Sequence, residues 1–106
     1  MFSKDTPRTQ QLQQLASEFI ATQSNRTSLI TVTDTNLTNR GSVVTFYVSV
    51  FPEEAEGPAL GFLMRKRGEC KEYIKQHSNG KHVPHVEFVL DTGEKKRQRV
   101  DELLSE

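Results

Sequence analysis

The chain has 106 residues, 34% of them apolar, and 14 Lys/Arg against 14 Asp/Glu, so its formal net charge is zero. That length suits one domain, expected over residues 1–106, with a modest core and no room for a second. A lone cysteine excludes an intrachain disulfide, no apolar run reaches the ~20 residues of a membrane span, and the polar opening MFSKDTPRTQQ is no signal peptide; a soluble, cytoplasmic protein is expected.

Thr6-Pro7 reads as a helix start, with Thr6 as N-cap and Pro7 at the first helical position, where its missing N–H costs nothing. Leu12, Leu15, Ala16, Phe19 and Ile20 then recur at helical spacing over a Gln-rich opposite face, and Ser24-Asn25-Arg26 ends the helix. Leu29–Asp34 is short and β-branched, as a strand should be. Thr38-Asn39-Arg40-Gly41 is a turn by composition. In Ser42–Phe51, Val44, Phe46, Val48 and Val50 fall on one face and Val43, Thr45, Tyr47, Ser49 and Phe51 on the other. Two strands joined by a short polar turn predict an antiparallel hairpin.

Pro52 stops that strand, and Glu53, Glu54 and Glu56 suit a helix N-terminus. Ala59 to His77 is helical in pattern, with Leu60, Leu63, Met64, Cys70, Tyr73 and Ile74 apolar. Gly61 and Gly68 lie inside it; each weakens a helix by about 1 kcal/mol relative to Ala, so a kink is expected near Gly68. Ser78-Asn79-Gly80 is a helix exit, and Val86–Asp91 is a third strand with Val86, Phe88 and Leu90 inward. After Thr92-Gly93, Glu94–Leu104 reads as a short C-terminal helix anchored by Val100, Leu103 and Leu104. Three strands must bury one face of a single sheet against the helices, which is an α+β architecture.

Charge is unevenly placed. Residues 60–82 carry Arg65, Lys66, Arg67, Lys71, Lys75 and Lys81 against only Glu69 and Glu72, whereas acids outnumber bases on both sides of that segment. On a helix, Arg67, Lys71 and Lys75 share one face while Arg65 and Lys66 crowd the kink by Gly68; cations around backbone N–H groups suit a phosphate backbone. The bland alternative is a solvated face with local pairs, such as Glu72 with Arg65, Lys75 or Gln76. Lys95, Lys96, Arg97 and Arg99 form a second run, where positive charge opposes the dipole of the closing helix. Arg40 at the hairpin tip and Arg8 in the first helix are weaker candidates, and Lys81 and His82 extend the patch toward the third strand.

Cys70, His77, His82 and His85 are zinc-type ligands, but their spacing matches no familiar finger, and no metal or cofactor is expected. Cys70 at an apolar helical position reads as a core residue. With His77 seven residues on it could form a nucleophile and base, yet no oxyanion donor or orienting acid accompanies them, so no enzyme is expected.

The order α-β-β-α-(kink)-α-β resembles the type II KH fold, and three stretches resemble the ribosome-binding factor A family. These are Leu29-Ile30-Thr31-Val32-Thr33-Asp34, then Val44-Thr45-Phe46-Tyr47-Val48-Ser49-Val50-Phe51, then Pro84-His85-Val86-Glu87-Phe88-Val89-Leu90-Asp91 followed by Arg97-Gln98-Arg99-Val100-Asp101-Glu102-Leu103-Leu104. The family's Ala-x-Gly kink falls at Lys66-Arg67-Gly68, where the Gly is present and the Ala is not; Ala59-Leu60-Gly61 fits literally but sits seven residues earlier. The resemblance implies a bacterial assembly factor that binds the small (30S) ribosomal subunit and its 16S rRNA as a monomer. It further implies help with late maturation and precursor processing, with no small-molecule substrate and no membrane. A KH-like protein with another RNA target, and a protein-interaction module using a sheet edge, remain open alternatives.

Overall fold

A computed structural model describes residues 7–23, 28–78 and 82–91. Helix α1 (Pro7–Gln23) leads to strand β1 (Leu29–Thr38), a 3-10 turn (Asn39–Gly41), strand β2 (Val43–Phe51) and a second 3-10 turn (Glu53–Ala55). Helices α2 (Glu56–Arg65) and α3 (Arg67–Gln76) follow, and strand β3 (His85–Leu90) completes the described elements. The sheet order is β1-β2-β3, with β1 antiparallel and β3 parallel to β2. This is the α+β, type II KH-like arrangement that the sequence predicts. The closing helix expected over 94–104, the Thr6 cap and the Ser24–Arg26 helix end lie outside the described residues.

The central strand makes the core. Val44, Phe46 and Val48 are fully buried beneath the helices, and Phe46 meets Phe88 of β3 at 5.8 Å between ring centres. Truncating Phe46 to Ala removes contacts on every side, a loss of about 3–5 kcal/mol. Leu12, Leu15, Ala16, Phe19 and Ile20 of α1 pack on this face, as do Leu63 of α2 and Cys70 and Ile74 of α3.

Strand β1 is longer than its apolar pattern predicts, ending at Thr38 instead of Asp34. A bulge explains the difference. Val32 pairs with Val48 and Asp34 with Tyr47, which leaves Thr33 as the extra residue. Inward positions therefore switch parity, from Ile30 and Val32 to Thr35 and Leu37, and Thr35 is buried. The Thr33 hydroxyl lies 2.7 Å from Asp91 Oδ2 and 3.2 Å from the Tyr47 carbonyl, reaching across the sheet. At the hairpin tip Asn39, Arg40 and Gly41 have φ of 53°, 57° and 85°. Glycine adopts that left-handed region freely and Asn tolerates it, while Arg40 is strained there.

The helix break is at Lys66 (φ −98°, ψ 8°), two residues before the glycine expected to cause it. The Lys66 amide donates to both Phe62 O at 3.1 Å and Leu63 O at 3.0 Å, so α2 closes on a tightened last turn. Gly61 lies within α2 without breaking it, and Gly68 sits in the first turn of α3. Helix α2 also starts earlier than predicted, at Glu56.

Candidate nucleic-acid interface

The break gathers the basic segment. Arg65 ends α2, Lys66 occupies the break, and Arg67, Lys71 and Lys75 follow on α3 one helical turn apart. Arg65, Lys71 and Lys75 are exposed, and among the described residues none of the three forms a salt bridge. Among the described residues Glu72 pairs with none of Arg65, Lys75 and Gln76, the local partners of the solvated-face alternative. The pair that forms instead is Lys66 with Glu69, at 3.2 Å, with the Lys66 ammonium 5.8 Å from the Phe62 ring centre.

Arg67 behaves differently from its neighbours. Its Nε donates to Met64 O at 3.0 Å, and its Nη1 lies 3.1 Å from both carboxylate oxygens of Glu87, which also contacts His85 Nε2 at 2.7 Å. Arg67 thus shares the face of Lys71 and Lys75 but is committed to holding α3 against β3.

Gly68 is exposed, and a Cβ built on it meets nothing within 4 Å. Internal packing therefore does not require a glycine there. The first turn of a helix leaves amides without intrahelical acceptors; in α3 they sit among Arg65, Lys66 and Lys71, where an anion would be attracted by both charge and dipole.

The remaining predicted cations do not join this group. Arg8 donates from Nη2 to His82 O at 2.7 Å, tying the start of α1 to the segment before β3. Arg40 is exposed at the β1–β2 tip. Lys81, Lys95, Lys96, Arg97 and Arg99 lie outside the described residues. The sheet face turned away from the core has the opposite character. No Lys or Arg occurs in β1, β2 or β3; the face carries Asp34 and Glu87 with exposed Leu29, Phe51 and Val89.

Sequence reasoning missed an open groove of about 510 Å³ along the seam of α1 and α3. Tyr73 lines it, packed against Phe19 at 5.8 Å and stacked with His77 at 4.2 Å between ring centres. The Tyr73 hydroxyl donates to Glu18 Oε1 at 3.1 Å; desolvation, then that hydrogen bond and the carboxylate's charge, push the phenol's pKa up. A polar stripe on α3 (Glu69, Glu72, Gln76) was the available signal, but only its tertiary pairing with α1 makes a groove.

Cys70 is buried, and burial pushes its thiol up to about 12, far from a nucleophile's range. His77 is exposed, with Nδ1 2.7 Å from Tyr73 O. Among the described residues no group of three or more His, Cys, Asp or Glu is placed to hold a metal ion, and no helix is long and apolar enough to cross a membrane.

Comparison with known proteins bears on this arrangement. The sequence model of the family described as ribosome-binding factor A matches residues 6–104. A ribosome-binding factor A of Thermobifida fusca (strain YX) is 30% identical over 81 residues, covering 76% of this chain and 54% of the relative. The chain thus spans about half the length of that curated relative. A crystal structure of ribosome-binding factor A from Thermus thermophilus superposes with a TM-score of 0.71 at 27% identity, covering 84% of this chain and 97% of that one. The Thermus thermophilus factor fitted into a cryo-EM map of a 30S complex gives 0.67 at 27% identity, covering 79% and 91%. A Thermotoga maritima solution structure at 22% identity, covering 81% and 85% with a TM-score of 0.66, shares the fold. With a family match over nearly its whole length, the chain belongs to the ribosome-binding factor A family.

Proposed function

We propose that this protein, as a single domain and a monomer, binds the small ribosomal subunit during its assembly and contacts 16S rRNA through the exposed side of α2 and α3. The observation that carries this reading is the segregation of charge. Lys71 and Lys75 project unpaired beside Arg65 and Lys66, while the described strands hold no Lys or Arg at all. A polyanion is drawn to the first surface and meets no Lys or Arg on the strands of the second. The Thermus thermophilus relative in a 30S complex supports the choice of target. Binding energy would favour one conformation of the maturing RNA, assisting late maturation and precursor processing with no bond chemistry by the protein.

The sheet face supports a complementary role. Leu29 and Phe51, cross-strand partners, are 65% and 73% exposed, and Val89 41%. Exposed apolar side chains on strands that hold no Lys or Arg suit a protein contact, and a neighbouring ribosomal protein is the expected occupant while α3 holds RNA.

The test is sedimentation of tagged protein from lysate at low and high salt, with precursor rRNA probed in every fraction. Co-migration with free small subunits rich in unprocessed rRNA, lost at high salt, is expected. Absence from ribosomal fractions at low salt would overturn the proposal.

A further inference from the structure

The groove between α1 and α3 is not explained by phosphate binding. Its lining includes Glu69 and Glu72, whose carboxylates repel a phosphate, together with the ring of Tyr73. Yet it lies directly beside the basic strip. Lys75 is three residues on from Glu72, and Lys71 three on from Gly68, so cations border the groove along its length. Arg65 stands at its α2 end. A chain whose backbone is anionic and whose side groups are neutral, planar and rich in N–H donors matches both surfaces at once. That description fits single-stranded RNA, whose unstacked bases are read by aromatic contact and by hydrogen bonds to their edges.

We propose that this groove receives one unpaired nucleotide, guanosine by preference, with its base against the groove-lining edge of Tyr73, whose faces pack on Phe19 and His77, the base edge on Glu72 and the phosphate on Arg65. The proposal rests on the RNA-binding reading above and adds a base-specific subsite to it.

Three features select the occupant. First, about 510 Å³ lies within the range of pockets that hold small ligands, and an open groove admits a base that stays attached to its strand. Second, Gly68 leaves the mouth clear, since no neighbouring atom occupies the space a side chain would take. Third, the two acids differ in availability. Glu69 is held by Lys66, whereas Glu72 has no hydrogen bond or salt bridge among the described residues and is a free acceptor.

A carboxylate accepts two parallel N–H groups from guanine, N1–H and the N2 amine. Cytosine and adenine offer a single exocyclic amine. Uracil flanks its one N–H with two carbonyls that a carboxylate repels. Gln76 and Gln23 on the opposing walls supply amides that can meet the remaining edge of any base.

The experiment compares two short single-stranded RNAs at low salt by fluorescence anisotropy: an all-uridine hexamer, and the same hexamer with one central guanosine. The wild-type protein is expected to bind the guanosine form about tenfold tighter, the scale of discrimination by one bidentate contact. Glu72→Ala, at an exposed position, should keep uridine binding and erase the preference. Gly68→Leu, which fills the mouth without touching the core, should likewise erase the preference. Lys71→Ala with Lys75→Ala should weaken both RNAs alike and leave their ratio unchanged. Equal wild-type affinity for the two RNAs, or a preference that survives Glu72→Ala, overturns the subsite while leaving the RNA-binding reading intact. Failure to bind either RNA overturns both.

Discussion

Arg67, the first residue of α3, sets its Nη1 3.1 Å from both carboxylate oxygens of Glu87 on β3, across twenty residues of chain. The contact joins the start of one helix to an edge strand of the sheet and removes one cation from the basic strip. Both side chains are about one-third exposed, at 37% and 32%, which limits its strength. A double-mutant cycle with Arg67→Met and Glu87→Gln should give a coupling energy of about 0.5–1 kcal/mol, smaller at high salt. Arg67→Met should leave the salt dependence of RNA binding unchanged. Zero coupling in urea denaturation would contradict this assignment.

Gly61 is interior to α2, and a Cβ there would lie 3.5 Å from Arg65 Nη1, an ordinary contact. Gly61→Ala should therefore stabilise the protein by about 0.5–1 kcal/mol, through helix propensity and a less entropic unfolded chain. The expected result is a higher urea midpoint with an unchanged m-value. A lower midpoint would show that the glycine is needed at this point of the helix.

Cys70 links stability to alkaline pH. Its thiol titrates near 9.0 when unfolded and is pushed to about 12 by burial, so the folded state keeps a proton that the unfolded state loses. Its contribution is fully present below pH 9 and falls as pH rises, by about 1.4 kcal/mol per unit up to about pH 12. Comparing wild type with Cys70→Ala isolates this dependence from other titrating groups, and a pH-independent difference would contradict it. The native thiol should also resist thiol reagents at pH 8 until the chain unfolds.

Much of this fold was legible in the sequence, because Val44, Phe46, Val48 and Val50 alternate cleanly and the stripe from Leu12 to Ile20 has helical spacing. Where legibility ended, the cause was local. The bulge at Thr33 switched the inward parity of β1, so the strand pattern read from the sequence ended at Asp34 instead of Thr38. The helix break fell at Lys66 because the last turn of α2 tightens there, which glycine propensity does not encode. At the candidate interface, Lys71 and Lys75 were readable from spacing alone. The diversion of Arg67 to Glu87, and the groove that pairs Tyr73 with Phe19, depend on residues brought together only by the tertiary fold.

The most direct test of RNA binding through α2 and α3 is the salt dependence of affinity for purified small subunits, in wild type and in the Lys71→Ala, Lys75→Ala double variant. If Arg65, Lys66, Lys71 and Lys75 each neutralise a phosphate of single-stranded RNA, the wild-type log–log slope should be about −2.8 and the double variant's about −1.4. Affinity at low salt should fall accordingly. A double variant with wild-type affinity and slope would contradict the account, and would move the interface to another surface of the protein.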